Sequence, residues 1–544
     1  MRNAGWNRIV AAGVVAALLG AAAACSSRPT STSSPIVSAV PTSADADTLA
    51  RLVADLTDEQ LVGAVLMPSV NLDDPADVTA ALVRDYHVGG VILMGRGGDV
   101  AAVRVLTGKL HEAADTPGEL PLLIGIDQEY GFVTRLTAGI TQLPSAMAFG
   151  AAARPELTES AWRAVGGELL ELGINVDFAP DADVLGSAAN AVIGSRSYGS
   201  DPKAVAAQVA AVTRGLQGAG VAASVKHFPG HGRTAVDSHK NLPVLKQSRA
   251  DLGAADLPPF QAGIDAGSWL VMSGHLDVRA IDPGVPASFS SKVLVDLLRK
   301  QLGFTGAVVT DALNMAPAQR WAPGEAAVRA LLAGNDLLLM PPDLGAAQRG
   351  LLDALHSGRQ LRERLVEAVT RALTVRARVR PAGRDGLDTV GSSPNAALAA
   401  QVAAAGITIL KGACEQPLVR GAVRVTAADG RADKAAALVA ALGRTGVEAT
   451  VGKVADKPDK KVTVVHLVGW GDGPADLNRR AAVTVAMDSP FILARATSPV
   501  RVATYSSTLA ALEALAAVLA GRAPAPGRSP VSVAGLPATA CGPQ

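Results

Sequence analysis

This chain of 544 residues has few aromatic residues and few cysteines, and its positive and negative charges nearly balance. Aromatic residues make up 3% of it, which argues against an extended binding groove lined with aromatic side chains. Lys and Arg number 50 against 49 Asp and Glu, so we expect no nucleic-acid partner. The apolar run at 9–19 is shorter than the roughly 20 residues of a transmembrane helix, and no later segment is predicted to span a membrane.

The N-terminal segment has the composition of a secretory signal peptide. Arg2 and Arg8 precede the apolar run at 9–19, and a run of alanines leads directly to Cys25. A small-residue run that ends at a cysteine resembles a bacterial lipobox, which implies that residues 1–24 are removed and that Cys25 is lipidated. We therefore expect an extracytoplasmic protein held to the cell membrane by a lipid anchor. A plain signal peptide with an incidental cysteine is the alternative.

Two cysteines remain besides Cys25, namely Cys414 and Cys541. In an extracytoplasmic compartment an even pair favours a disulfide, which would tie the C-terminal end to the second predicted domain. Two separate buried thiols are an equal alternative, and both readings stay open at this point.

The order of the segments indicates a flexible tether followed by a large barrel. Residues 25–45 are rich in Ser, Thr and Pro and cannot bury a core, so they are predicted to be a tether. In residues 46–378, apolar β-branched runs alternate with Ala- and Leu-rich stretches, the pattern of parallel strands with crossover helices. Eight such runs predict an α/β fold, a (β/α)₈ barrel of the TIM type. The predicted strands are 62–67, 88–94, 120–126, 175–179, 221–225, 268–273, 306–310 and 335–340.

A second, smaller α/β domain is predicted after the barrel. Residues 379–394 are rich in Pro and Gly and have the composition of a linker. Residues 395–544 again alternate strand-like and helical runs, so we expect an α/β/α sandwich. Few polar residues follow its strands, and no second active site is expected there. The candidate elements are strands at 407–410, 423–427, 462–467, 482–486 and 500–503 and a helix at 509–519.

Polar residues of the barrel are concentrated directly after its predicted strands. In barrels of this type, the loops at the carboxyl ends of the strands carry the chemistry. We therefore expect the active site among these residues. They are Asp127, Gln128 and Glu129 after the third strand, Asp181 and Asp183 after the fourth, Lys226 and His227 after the fifth, His275 after the sixth and Asp311 after the seventh.

The loop that leaves the fifth strand is rich in histidine. Residues 226–239 contain His227, His231 and His239 among Gly and Pro, and packing of a core would not need so many polar groups. Zinc is one interpretation. The histidines are four and then eight residues apart, which matches no metal-binding motif with known mechanics, so we predict no metal and no other cofactor.

Acid–base chemistry is the other interpretation of this loop. Asp237 and His239 lie two residues apart and, on an extended loop, would point to the same side. A carboxylate beside an imidazole fixes its tautomer and raises its pKa. Hydrolysis of a glycosidic bond with retention needs such a group and a carboxylate nucleophile. Asp311 is the candidate nucleophile, and a helix N-cap before 312–315 is its alternative role.

Together these motifs resemble glycoside hydrolase family 3. The resemblance rests on the sequences KHFPGHG at 226–232, DSH at 237–239, DQE at 127–129, TDALNM at 310–315 and NVDFAPDADV at 175–184. The Asp-Ser-His element is similar in particular to the β-N-acetylglucosaminidases of the NagZ type.

The resemblance implies a role for each site residue. Asp311 would attack the anomeric carbon, and His239, oriented by Asp237, would protonate the leaving oxygen. The implied enzyme is a metal-free, monomeric, retaining exo-β-N-acetylglucosaminidase that releases terminal GlcNAc from peptidoglycan-derived sugars or muropeptides through a covalent glycosyl-enzyme. The residues implied to hold the hydroxyls and the N-acetyl group of the terminal sugar are Asp127, Arg196, Lys226 and His227.

One departure from the family pattern and two rival functions stay open. After Asp-Gln-Glu the family usually has Gly-Gly-Arg, whereas this chain has Tyr130, Gly131 and Phe132, and Arg135 is the nearest basic residue that can replace the missing one. A β-N-acetylglucosaminide phosphorylase is one rival, because a histidine acid does not repel phosphate. A non-catalytic sugar-binding lipoprotein is the other.

Overall fold

The computed structural model describes residues 43–114, 120–381, 383, 386–414, 417–454, 459 and 461–542. The predicted signal peptide, Cys25 and nearly all of the predicted tether lie outside the described residues. The first helix begins at Ser43, shortly before the predicted start of the barrel at residue 46. Among the described residues, no helix combines the length and the apolar character needed to cross a membrane.

The first part of the chain contains a series of short β-strands. They are β1 Leu66–Met67, β2 Ser69–Asn71, β3 Gly90–Met94, β4 Leu123–Ile126, β5 Val176–Asp177, β6 Ala222–Phe228, β7 Val244–Leu245, β8 Leu270–Ser273, β9 Asp277–Val278, β10 Ala307–Thr310 and β11 Leu338–Leu339. A parallel sheet runs in the order β2-β3-β4-β5-β6-β8-β10. A bridge between Val309 and Leu337 links β10 to β11, and β11 pairs with β1. Since Pro68 divides β1 from β2, the two ends of the sheet meet and close the barrel.

Helices surround this barrel. They are α1 Ser43–Ala54, α2 Asp58–Gly63, α3 Ala76–Tyr86, α4 Val100–Ala113, α5 Ala146–Ala152, α6 Pro155–Glu171, α7 Pro202–Ala219, α8 Arg249–Asp251, α9 Leu257–Asp265, α10 Pro323–Ala333, α11 Leu344–Ser357 and α12 Arg359–Arg378, with a wider helix at Lys292–Gln301. Side-chain caps mark the start of several helices. Asp99 precedes α4 and accepts hydrogen bonds from the backbone N–H groups of Ala101 and Ala102 at 3.0 Å. Asp201 caps α7, which has Pro202 at its first position.

Most predicted strand boundaries differ from the structure, and three of the differences have a clear physical reason. The run 62–67 starts too early, because Thr57 and Gln60 form a capping box that starts α2 at Asp58, and this helix continues to Gly63. The fifth strand continues to Phe228, so Lys226 and His227 belong to the strand itself. The run 335–340 contributes only Leu338–Leu339, since Asp336 precedes the strand and binds Arg299 at 2.6 Å.

The second part of the chain forms another sheet. Its elements are α13 Ser393–Gly406, β12 Thr408–Lys411, β13 Ala422–Ala427, α14 Ala432–Arg444, β14 Ala449–Val451, β15 Val462–Val468, β16 Val483–Ala486, β17 Val500–Ala503 and α15 Leu509–Leu519. The strand order is β12-β17-β16-β15-β13-β14, and only the β12–β17 pair is antiparallel among the described strands. The predicted class, a barrel followed by a smaller α/β sandwich, is confirmed.

The two faces of the second sheet have different partners. Leu438 of α14 and Leu515 of α15 pack on one face. The other face packs on the barrel, where Leu410 of β12 shares a buried cluster with Met147 of α5 and with Ile193. The barrel therefore supplies part of the second covering layer of the sandwich.

A disulfide joins Cys414 and Cys541, with 5.4 Å between the Cα atoms. The pair ties the C-terminal segment to the residues that follow β12. Of the two readings left open by the sequence, the structure has the disulfide.

Replacing both cysteines, Cys414→Ser with Cys541→Ser, is expected to lower the free energy of unfolding. The bond closes a span of 127 residues, and removing a cross-link of this kind costs roughly 2–4 kcal/mol. Guanidinium unfolding measures the change, and reductant should shift the wild-type midpoint but leave the double variant unaffected. Thiols at both positions that react with an alkylating reagent in denaturant without reduction would contradict the bond.

Candidate active site

The carboxyl ends of four barrel strands bring the predicted site residues to one mouth. Asp127 follows β4, Lys226 and His227 lie at the end of β6, and Asp311 follows β10. Arg196 enters from the short helical turn Gly194–Arg196, which belongs to the long connection after β5. Parallel strands end at the same rim of a barrel, so these distant residues share one cavity.

Glu129 is the centre of a buried ion cluster at this mouth. Its carboxylate binds the Arg196 guanidinium twice, with Nε 2.7 Å from Oε2 and Nη2 2.9 Å from Oε1. The Lys226 ammonium lies 2.5 Å from Glu129 Oε1 and 2.7 Å from Asp127 Oδ1. We call Asp127, Glu129, Arg196 and Lys226 the Glu129 cluster. Three of the predicted sugar-binding residues are thus brought together by a residue to which the sequence assigned no role.

The charges of the Glu129 cluster stabilise one another. Burial alone would raise the pKa of Glu129, but Arg196 and Lys226 lower it below its ordinary value. Burial alone would lower the pKa of Lys226, but Asp127 and Glu129 raise it. A buried ion without a partner is strongly destabilising, so each member depends on the others. The result is a fixed set of charged donors and acceptors that suits a ligand rich in hydroxyl groups.

The loop after β4 completes the cluster on its outer side. The side-chain oxygen of Gln128 accepts hydrogen bonds from the backbone N–H groups of Arg135 and Leu136, both at 3.0 Å. These bonds fix the segment in which the loop turns back. Arg135 then places Nη2 3.3 Å from Oδ2 of Asp127. A basic side chain therefore reaches Asp127, although Phe132 stands where the family usually has arginine.

Tyr130 stands where the family usually has glycine. Its φ of 65° lies in the left-handed region, which favours glycine and costs other residues about 1–2 kcal/mol. The ring is buried edge-on against Trp162, with 5.7 Å between the centroids. Aromatic packing thus offsets the backbone cost of this departure.

His227 is held as a neutral acceptor beside the cluster. Its Nδ1 donates to Asp183 Oδ2 at 2.8 Å, which leaves Nε2, 3.4 Å from Nη2 of Arg196, as the acceptor. Burial and the neighbouring Arg196 lower the pKa of His227 to about 4. The imidazole is therefore uncharged near neutral pH and can accept a hydrogen bond from a hydroxyl group.

A metal-binding geometry exists at one place among the described residues. Asp181, Asp183 and His227 offer ligand atoms that lie within 4.8 Å of one another. The Arg196 guanidinium approaches two of them, with Nη2 3.5 Å from Asp181 Oδ2 and 3.4 Å from His227 Nε2. An arginine thus already supplies positive charge at this position. The three histidines weighed as zinc ligands do not form a ligand group, because this candidate site contains His227 but neither His231 nor His239.

Asp311 presents a carboxylate to the same mouth and is 9% exposed. Its Oδ1 accepts the N–H of Ala312 at 2.8 Å, and its Oδ2 makes no hydrogen bond with any described residue. The alternative role as a helix cap was wrong, because the chain forms turns after Asp311 and the next helical turn is Ala318–Arg320. Burial alone would raise the pKa of Asp311, but His275 and His227 lower it, which favours the ionised form.

Asp237 and His239 pair on the loop after β6. Asp237 Oδ1 accepts both the backbone N–H of His239 at 2.9 Å and its ring Nδ1–H at 2.8 Å. A tight turn, not an extended loop, brings the two side chains together, so the spacing argument was wrong about the backbone. The loop leaves the carboxyl end of β6 and ends at β7, which pairs with β9 beyond the end of β8, so the pair lies on the mouth side of the barrel.

Two supporting residues have roles that the sequence did not assign. His275 donates from Nε2 to the carbonyl of Ala312 at 3.0 Å and accepts from the Ser288 hydroxyl at 2.6 Å, which holds the turn after Asp311. The position of His275 directly after a barrel strand was the sequence feature that could have indicated this role. Asp488, which follows β16 of the sandwich, accepts a hydrogen bond from Ser195, the neighbour of Arg196. A contact between residues so far apart in the chain has no local signal.

Barrel and site together define a glycoside hydrolase. The cluster offers charged partners for hydroxyl groups, Asp311 offers a free carboxylate oxygen, and the Asp237–His239 pair offers a group that can carry a proton. These are the parts that retaining cleavage of a glycosidic bond requires.

Comparison with known proteins identifies the family. The glycosyl hydrolase family 3 N-terminal domain matches residues 56–375, and the chain therefore belongs to glycosyl hydrolase family 3. The resemblance seen in the sequence motifs is confirmed.

Two curated relatives match over a little more than half of this chain, and one solved structure matches over most of it. β-Hexosaminidase A of Pseudoalteromonas piscicida is 33% identical over 362 residues, which cover 61% of this chain and 60% of that enzyme. β-Hexosaminidase LpqI of Mycobacterium tuberculosis is 36% identical over 317 residues, which cover 56% of this chain and 80% of LpqI. A family 3 β-N-acetylglucosaminidase from Paenibacillus sp. str. FPU-7 has a TM-score of 0.79 at 33% identity, over 88% of this chain and 99% of that one.

Changing Glu129 to Gln is expected to destabilise the protein much more than an equivalent change at the surface. The variant leaves Lys226 and Arg196 buried without their shared carboxylate, which costs about 3–5 kcal/mol. Glu159 is the matched control because it also binds two cations, Arg163 at 2.7 Å and Arg214 at 2.8 Å, but lies at the surface. Glu159→Gln should cost about 1 kcal/mol or less. Guanidinium unfolding compares the two, and equal losses would contradict the cluster.

Proposed function

We propose that the protein is a retaining exo-β-N-acetylglucosaminidase, which removes a terminal β-linked N-acetylglucosamine residue and transfers it to water. The observation that carries the proposal is Oδ2 of Asp311, which makes no hydrogen bond with a described residue and lies at the barrel mouth that also carries the Glu129 cluster and the loop of Asp237 and His239. The names of the β-hexosaminidase relatives and of the Paenibacillus enzyme support the choice of sugar.

The reaction proceeds through two displacements. Asp311 Oδ2 attacks the anomeric carbon while the bond to the leaving oxygen breaks and that oxygen takes a proton from His239. His239 then removes a proton from water, and the hydroxide displaces the Asp311 carboxylate from the sugar. Each displacement inverts the anomeric carbon, so the product retains the β configuration.

His239 suits the proton transfer because its outer nitrogen is accessible. Asp237 holds Nδ1, so Nε2 of this exposed ring remains available to exchange a proton with the leaving group. A carboxylate that accepts the Nδ1 proton also stabilises the protonated ring. Asp237 therefore acts on the reaction through His239.

The Glu129 cluster and His227 hold the terminal sugar. Lys226 and Arg196 donate to hydroxyl and acetyl oxygens, while Asp127 and the neutral His227 accept from hydroxyl groups. Their fixed geometry lets these contacts strengthen as the ring flattens in the transition state.

The site of action follows from the N-terminal sequence. We place the mature protein outside the cytoplasm, lipidated at Cys25 and anchored to the cell membrane, with GlcNAc-containing fragments of peptidoglycan, including muropeptides, as substrates. The disulfide between Cys414 and Cys541 supports an oxidising compartment.

The substitution Asp311→Asn is expected to abolish turnover, since it removes the nucleophile but keeps its shape. Loss of a nucleophile typically lowers kcat by about 10⁴-fold or more. Release of the aryl group from aryl β-N-acetylglucosaminide measures it. Asp343→Asn is the matched control, because Asp343 caps α11 and Asn caps equally well, so activity should persist.

The same assay separates the rival functions. Aryl β-N-acetylglucosaminide should be cleaved in phosphate-free buffer and in preference to aryl β-glucoside. A strict need for phosphate would show a phosphorylase, and equal turnover of Asp311→Asn and the parent would refute the assigned nucleophile. Sugar binding without any turnover would indicate a non-catalytic lipoprotein.

Changing His239 to Ala is expected to slow cleavage most for substrates whose leaving group must be protonated. Loss of a general acid costs about 10²–10⁴-fold. The loss should be greatest for a disaccharide and smallest for a 2,4-dinitrophenyl leaving group, which departs without a proton. His356→Ala is the matched control, because His356 also pairs with an aspartate, Asp58 at 3.2 Å, on the exposed surface. An equal loss on both substrates would argue against the acid role.

A further inference from the structure

A buried carboxylate beside the loop after β6 has no role in the proposed reaction. Asp256 is 1% exposed and lies at the end of a wide helical turn, Leu252–Asp256, which directly precedes α9. Its Oδ2 lies 3.3 Å from Nη1 of Arg233, and its Oδ1 is buried without a hydrogen bond to any described residue. Because a buried carboxylate is costly unless it is paired, the contact with Arg233 is the main compensation for this charge.

Arg233 joins the loop after β6 to two other segments. On one side its guanidinium reaches Asp256, and on the other its aliphatic stem packs on Gly186, in the connection after β5. A Cβ atom at Gly186 would lie only 2.9 Å from Cγ of Arg233, so a side chain there would push the stem away. The Gly186 N–H also donates to the Gly232 carbonyl at 3.0 Å. The position of Arg233 is therefore set by contacts outside its own loop.

Both ends of this loop are held by hydrogen bonds to other segments. At its start, Asp183 Oδ1 accepts the His231 N–H at 2.5 Å, and Asn190 Nδ2 donates to the His231 carbonyl at 3.2 Å. At its end, the Pro243 carbonyl accepts the Asp277 N–H at 2.8 Å, directly before β7 pairs with β9. The stretch between these anchors carries the proposed proton donor.

Arg233 makes the last polar contact with another segment before the chain reaches His239. In the described part of the chain, residues 234–242 make hydrogen bonds only with one another; for example, the Asp237 carbonyl accepts the Lys240 N–H at 3.1 Å. The turn around His239 is therefore compact, and its placement relative to the barrel depends on the two anchored ends of the loop. Of these ends, the one at Arg233 rests on a side-chain ion pair.

Resting on the proposed function, we propose that Arg233 and Asp256 are positioning residues for the proton transfer by His239. Their ion pair fixes the direction in which the loop leaves the barrel and so holds the imidazole within reach of the leaving oxygen. Neither residue belongs to the Glu129 cluster or contacts Asp311 by a hydrogen bond. The pair therefore acts on the proton donor and not on sugar binding or on the nucleophile.

The ion pair can be removed without leaving a buried charge. Burial raises the pKa of Asp256 to about 7, the nearby Asp183 and Asp251 add to the rise, and Arg233 opposes it. When a neutral residue replaces Arg233, the pKa of Asp256 rises further, and the carboxylate takes up a proton instead of remaining as an unpaired ion. We therefore expect Arg233→Gln to fold and to lose only the anchor of the loop.

Two substrates separate the proton donor from the rest of the site. 2,4-Dinitrophenyl β-N-acetylglucosaminide releases its aryl group without a proton, whereas diacetylchitobiose needs one. Arg233→Gln should lower kcat/KM about tenfold for diacetylchitobiose, a part of the roughly 10²–10⁴-fold that a general acid supplies, and leave kcat/KM for the aryl substrate unchanged. Inhibition by free N-acetylglucosamine should also be unchanged, because the Glu129 cluster stays intact.

Companion variants show whether the effect belongs to the ion pair. Asp256→Asn should give the same loss, and the double variant should lose no more than either single one, since all three remove one interaction. Arg233→Lys should restore part of the rate, because an ammonium group can still pair with Asp256. Arg104→Gln is the matched control, because Arg104 on α4 also pairs with a mostly buried carboxylate, Glu171 at 3.7 Å, and both substrates should be unaffected.

Hydrogen exchange tests the anchor apart from the reaction. In Arg233→Gln, the backbone amides of residues 234–242 should exchange faster, while those of β6 keep their rates. Faster exchange of the loop in a protein without hydrolytic activity would contradict the proposed reaction but support the anchor. A loss for His239→Ala confined to diacetylchitobiose, together with unchanged exchange and rates in Arg233→Gln, would overturn the positioning role alone. Equal losses of Arg233→Gln on both substrates would overturn it as well.

Discussion

The buried interaction of Glu129 with Arg196 and Lys226 is the constraint on which the rest of the site depends. These residues come from the loop after β4, the turn at Gly194–Arg196 and the end of β6, so no single element positions them. Burial destabilises each charge alone, and only the assembled cluster compensates for it. The barrel must therefore close correctly before the site has any stable arrangement, and the site in turn holds three segments of the mouth together.

The same cluster links the barrel to the sandwich. Arg196 is preceded by Ser195, which donates to Asp488, and by Ile193, which is buried with Leu410 of β12 and with Tyr505, two residues after β17. A shift of the sandwich would therefore move the turn that presents the guanidinium. The second domain thus contributes to the geometry of the Glu129 cluster.

The polar residues at the ends of the barrel strands could be predicted because they directly follow the strands in the sequence. The alternation of apolar and helical runs indicated the barrel, and the polar residues after each run indicated its mouth. Element boundaries depended on details such as the capping box at Thr57, which converts the start of an apolar run into α2. The part played by Glu129 and the stacking of Phe132 on Trp470 depend on tertiary contacts, which no local pattern encodes.

In the proposed function, sugar binding and proton transfer belong to separate parts of the site for a physical reason. The cluster gains strength from burial, because a low dielectric reinforces fixed charges that are matched. In the proposed reaction His239 needs access to the leaving oxygen and then to water, and it lies on an exposed loop. Asp237 accepts both the backbone and the ring N–H of His239, so the orientation of the imidazole is set within three residues. Only its approach to Asp311 depends on the loop, whose far end is anchored where β7 pairs with β9.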